Sequence, residues 1–79
     1  MRDLPRDDDW LTDHFGGIGR RVRAERLRQN LTQDRVWQAA GIDRRTLQNV
    51  EAGKEMRLGT LLRISYVLDV PLTTLIEEE

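Results

Sequence analysis

The chain has no cysteine, one histidine, one serine and only four aromatic side chains. Without cysteine there is neither a disulfide framework nor a thiolate zinc site. His14 has no metal-ligand neighbour in the sequence and reads as a surface side chain. Ser65 falls within an apolar helical face and reads as core. No nucleophile–base pair is visible, and no glycine-rich phosphate loop, so neither an enzyme nor a cofactor is expected. No apolar run approaches the roughly eighteen residues of a membrane helix, and no secretory leader pattern opens the chain. These absences lead to the expectation of a soluble cytoplasmic protein with no membrane partner. Alternation of β-branched residues is also missing while helix formers dominate, which makes the expected fold class all-α. At 79 residues the chain has room for one small domain, near the lower size at which a core supports itself.

Charge of one sign is not in excess, with thirteen Lys and Arg against fourteen Asp and Glu. Its distribution is uneven. Asp3, Asp7, Asp8, Asp9 and Asp13 crowd the first thirteen positions beside Arg2 and Arg6, and Glu77, Glu78 and Glu79 end the chain. Residues 14–76 keep eleven basic and six acidic side chains, a net of +5. The reading is a mobile acidic arm over 1–13, a folded domain over 14–76 and an acidic tail over 77–79. A basic domain suits phosphate contacts, which supply most non-specific affinity for nucleic acid.

What is present centres on residues 31–53, LTQDRVWQAAGIDRRTLQNVEAG. Thr32 is a good N-cap, and Val36, Ala39 and Ala40 recur at the spacing of one helical face. Gly41 can take the left-handed backbone that ends a helix. Asp43 is a second N-cap, Leu47 and Val50 give the next helix a buried edge, and Gly53 closes it. Two helices of about eight residues around a short turn make a helix-turn-helix unit. Arg44, Arg45, Gln48 and Asn49 project from the second of them, with Thr46 beside them. Arginine can fork to guanine O6 and N7, and Asn or Gln to adenine N6 and N7. The N-terminal residues of a recognition helix are the ones that reach base edges. An ordinary polar surface is the bland alternative for the same residues.

Elsewhere the pattern is simpler. Asp9 can cap a short helical turn before Gly16-Gly17, with Trp10 and Phe15 folding back over the core or joining a dimer contact. A first full helix is predicted from Ile18 to Gln29, burying Ile18, Val22 and Leu27, with Ala24 nearby. Its arginines, Arg20, Arg21, Arg23, Arg26 and Arg28, read as a solvated face with individual roles or as a phosphate stripe. A helix is predicted over residues 58–68, with Leu58, Leu61, Leu62, Ile64, Tyr66 and Leu68 on one arc. The arc spans roughly 200°, wider than a simple surface helix needs, as in a central helix or one that also meets a second subunit. Pro71 can open a last short helix at its first position.

The order Ile18-Gly19-x-x-Val22-Arg23-x-x-Arg26, Leu31-Thr32-Gln33, Ala40-Gly41-Ile42-Asp43, Glu51-x-Gly53-Lys54 and Leu61-Leu62-x-Ile64 resembles the Cro/C1-type (XRE) helix-turn-helix family. The resemblance covers about residues 18–76 and implies a five-helix, lambda-repressor-like DNA-binding domain with the motif at its second and third helices. It implies base reading by Arg44, Arg45, Thr46 and Asn49. Backbone contacts would come from Thr32, Gln33, Gln38, Gln48, Lys54 and Arg57. Arg26 and Glu51 match a structural ion pair. In relatives the C-terminal region commonly makes a twofold dimer, which points to Tyr66, Leu72, Leu75 and Ile76.

Two departures stand out. Trp37 occupies a position where the family usually has alanine, so its indole must splay the helices or turn outward; a partner-binding role is the functional reading. The loop Glu55-Met56-Arg57 lacks the usual proline and hydroxyl cap, leaving the start of the fourth helix open. The expected function is a sequence-specific transcriptional regulator, repressor or controller, binding double-stranded palindromic DNA as a homodimer. The alternative is a protein-binding module of the same fold, partnering a toxin or effector, with little DNA affinity.

Overall fold

The structure, a computed structural model, describes residues 1–77; the tail residues 78 and 79 lie outside the described residues. The described residues form helices only: α1 (Asp9–Arg28), α2 (Gln33–Ala40), α3 (Arg44–Glu51), α4 (Leu58–Leu68) and α5 (Leu72–Ile76). The all-α, five-helix expectation holds. α1 lies against α3 and α5, α4 against α2, and α2 against α3. Val22, Val36, Leu47, Val50, Ile64, Leu68 and Leu75 are buried at the centre where these helices meet.

The caps read from the sequence form the motif. The Thr32 hydroxyl accepts from Arg35 N–H at 3.0 Å, and Asp43 accepts from Thr46 N–H at 2.7 Å. Gly41 turns the chain at φ 68° and Gly53 at φ 78°, the region that excludes most L side chains. Two turns were not foreseen. Asn30 and Asp69 adopt φ 58° and 56°, as short polar side chains tolerate, and Asp69 caps α4.

α1 differs from its expected form. It starts at Asp9, with Asp8 at the cap, and runs unbroken through Gly16 and Gly17. Residues 9–13, assigned to the arm by their charge, are therefore helical. Gly19 and Gly53 are the places of close approach. A Cβ on Gly19 would sit 2.4 Å from the Val50 carbonyl oxygen, and one on Gly53 would sit 2.8 Å from Gly16 Cα. α3 can pack this near to α1 only where side chains are missing. Leu27 and Ala24 are exposed, not buried. Leu27 lies five residues beyond Val22, about 140° round the helix. Arg26, one residue nearer, takes the inner position and is buried.

Phe15 packs on the core as expected, whereas Trp10 makes an edge-on contact with His14, ring centroids 6.1 Å apart. Arg21 Nε donates to the Leu75 carbonyl at 2.7 Å and Gln29 Nε2 to that of Leu68 at 2.7 Å, so α1 holds the ends of both C-terminal helices. Arg28 pairs with Glu25 at 2.7 Å. Arg21, Arg26 and Arg28 thus have individual roles. Pro71 precedes α5 as its cap residue instead of opening it, and Ser65 is buried with its hydroxyl donating to Leu62 O.

Candidate nucleic-acid interface

The motif is fixed from behind by one ion pair. Arg26 Nε and Nη2 donate to the two Glu51 carboxylate oxygens at 2.7 and 3.0 Å, both side chains nearly buried. Arg26 Nη1 also donates to Leu31 O at 2.9 Å, which ties α1 to the entry of α2. Hydrogen bonding to Glu51 raises the Arg26 pKa further, against a smaller opposing effect of burial. Gln33 joins this group, its amide donating to Glu51 Oε1 at 3.2 Å. One of its two amide N–H groups is committed there.

On the outward side, α3 buries Leu47 and Val50 and exposes Arg44, Arg45 and Gln48. Gln38 on α2 and Thr32 at its cap are exposed, as are Lys54 and Arg57 in the loop after α3. Thr46 and Asn49 are half-buried and line a cleft with Glu55, Met56, Arg57 and Thr60. Helix α4 begins at Leu58 with Arg57 in the cap position and no side-chain cap bond. Asp43 is held below its ordinary pKa by its hydrogen bonds to Thr46, side chain first and then backbone.

Arg44 is not a loose surface side chain. Its Nε lies 3.2 Å from Asp34 Oδ1 and its Nη2 donates to Asp34 Oδ2 at 3.2 Å. The guanidinium carbon sits 6.0 Å from the centroid of the Trp37 ring, a cation–π distance. The Trp37 indole N–H donates to the same Asp34 at 2.9 Å. Trp37 therefore resolves its steric problem by turning along α2 toward Asp34 while keeping one side on the core. The Trp37 hydrogen bond, then Arg44, lowers the Asp34 pKa. Sequence reading did not select Asp34; its signal was the i, i+3 spacing to Trp37 on an exposed face.

A profile of the helix-turn-helix family matches residues 22–75. The chain belongs to the helix-turn-helix family. The resemblance to its Cro/C1-type (XRE) branch is thereby shown, and with it the class of DNA-binding transcription regulators. Among solved structures this helix-turn-helix protein is similar to the restriction-modification controller protein C.AhdI from Aeromonas hydrophila. The two share 27% identity with a TM-score of 0.74, over 77% of this chain and 94% of the other. No curated protein sequence matches.

The surface expected to meet a second helix-turn-helix subunit is rearranged in one respect. Leu75 is fully buried inside its own chain and has no area to offer a partner, which corrects its assignment to the dimer interface. Packed under the Arg21 anchor on α1, it is core. Tyr66 is 88% exposed, Ile76 is partly exposed and Leu72 half-buried. Leu58 and Leu62, named from the sequence only as part of the α4 arc, join Tyr66 as exposed apolar side chains at i, i+4 and i+8. The wide arc on α4 is two stripes. Leu61, Ile64, Ser65 and Leu68 face the core, and Leu58, Leu62 and Tyr66 face out.

Proposed function

We propose that this protein is a sequence-specific regulator, a repressor or controller, that binds an approximately palindromic DNA site as a homodimer in the cytoplasm. The observation that carries this reading is the outward set Arg44, Arg45 and Gln48 on α3, held on a rigid scaffold by the Arg26–Glu51 pair. Each subunit places α3 in the major groove. Arg44 and Arg45 then read guanines, Asn49 an adenine, and Thr46 a thymine methyl or the adjoining backbone. Thr32, Gln33, Gln38, Gln48, Lys54 and Arg57 hold the phosphates. The two half-sites lie one helical turn apart, about 34 Å.

The exposed stripe Leu58, Leu62 and Tyr66, with Leu72 and Ile76, supports the homodimer, because a monomer gains nothing by showing such a row to water. Tyr66 and Asp69 border a groove closed by Val70, Pro71 and Leu72, continuous with this row. Regulation by a protein partner such as a toxin or effector would act through the same small domain.

Selection of bound sequences from a random duplex pool tests the proposal. The expected product is a two-half-site consensus whose affinity falls steeply as salt rises. Arg44→Ala or Asn49→Ala should cost about 1–3 kcal/mol at particular base pairs and relax preference there. A uniform loss over all sequences removes the reader role. No measurable DNA affinity at low salt leaves the protein-binding alternative in its place.

A further inference from the structure

The Asp34–Trp37–Arg44 cluster has a geometry that a mere surface ion pair does not require. Asp34 accepts two hydrogen bonds, from Arg44 Nη2 at 3.2 Å and the Trp37 indole N–H at 2.9 Å, and Arg44 Nε lies in ion-pair contact with its Oδ1 at 3.2 Å. The bond from Nη2 and the ion-pair contact from Nε both lie on the side edge of the guanidinium. A guanidinium has five N–H groups in a fixed fork, so the outer edge, Nη1 with the second N–H of Nη2, is left over. That outer edge is itself a two-donor fork, the shape that matches guanine O6 and N7.

We propose that Asp34 is a positioning residue for base readout: anchored by the Trp37 indole, its carboxylate fixes the side edge of Arg44 so that the outer edge is presented to guanine. The proposal rests on Arg44 being a base reader. An unheld arginine must lose its rotamer freedom on binding, and the pair has removed much of that loss before DNA arrives. Trp37 adds to this, since its ring flanks the guanidinium at 6.0 Å and its N–H sets the carboxylate. A carboxylate in the first turn of α2 repels phosphate, so it lowers affinity for every sequence alike. Its gain is in the difference between sequences, which is what specificity is.

The test uses the full chain, the consensus duplex from pool selection, and the same duplex with the Arg44-dependent guanine pair changed to adenine–thymine. Wild type, Asp34→Asn, Arg44→Ala and the double variant are compared by fluorescence anisotropy. Asp34 is exposed, and an unchanged urea midpoint shows that Asp34→Asn leaves the fold intact. The expected result is a guanine-to-adenine affinity ratio lowered about two- to five-fold by Asp34→Asn, the range an exposed ion pair is worth. Total affinity stays level or rises, and Asp34→Asn has no effect on the ratio once Arg44 is alanine. Equal gains on both duplexes with the ratio unchanged would make Asp34 a repulsive acid only and overturn the proposal. If Arg44→Ala alone leaves every base preference intact, the reader assignment itself fails, and the positioning role with it.

Discussion

At the scale of single residues, Glu51 concentrates the most consequence. It accepts from Arg26 Nε, Arg26 Nη2 and Gln33, and both ionic partners are withdrawn from water. Glu51→Ala strands a buried guanidinium, and breaking such a pair from one side costs about 3–5 kcal/mol. The urea midpoint should fall accordingly; a loss no greater than that of an exposed pair would show that water reaches Arg26. Asp43 makes a smaller, pH-dependent contribution. Its folded pKa lies below the ordinary 3.8, so its stabilisation is complete above that value and fades as pH falls through the lower folded one. Asp43→Asn keeps a cap acceptor that does not titrate. The acid side of its stability–pH curve should be flatter than that of the wild type, measured by urea unfolding between pH 2 and about 5. The pairing of Arg26 with Glu51 was legible from the family pattern. Asp34 was not, because nothing in a string of letters shows which exposed acid an arginine ten residues away will reach.

Among the elements, the contact of α1 with α3 decides how the motif is held. Gly19 meets the Val50 carbonyl so closely that a methyl group has nowhere to go, since the obstacle is backbone. Gly19→Ala should therefore cost more than the about 1–3 kcal/mol typical of overpacking, and thermal melting should show it. Gly59 is the control. It lies inside α4 with open space where a Cβ would be, so Gly59→Ala should raise stability by up to about 1 kcal/mol. Equal effects of the two would mean that the helices do not approach as described. α2 and α3 were readable because Thr32, Gly41, Asp43 and Gly53 are local punctuation whose chemistry acts within one turn. α1 was misread for the opposite reason. Gly16 and Gly17 look like breakers locally, yet the helix runs through them, and the glycine that α3 packs against is Gly19.

For the whole molecule, one apolar row is left facing water. Leu58, Leu62 and Tyr66 share an outward line on α4, and Leu62 and Tyr66 border a groove with Leu72. Tyr66→Asp touches little within the chain, because that side chain is almost wholly exposed, and it should yield a folded monomer with weaker DNA binding. Leu72→Asp should do the same at some cost in stability, since Leu72 is half-buried. Sedimentation equilibrium with circular dichroism checks both; an unchanged dimer would move the interface elsewhere. Leu75→Asp, by contrast, should unfold the chain, for Leu75 is core. The sequence marked Leu72, Leu75 and Ile76 alike, and it was α1 closing over α5 that put Leu75 in the core.

The sequence by itself determined the helical class, the two caps and the glycine turn of the motif, and the outward set on α3. These follow from interactions between residues a few positions apart. Tertiary structure alone decided that α1 runs unbroken through its glycines, that Leu75 is enclosed while Leu58 and Leu62 are not, and that Arg44 is held by Asp34. Each of those depends on which surfaces of distant segments meet, and burial and pairing at such meetings are set by three-dimensional distance rather than by spacing along the chain.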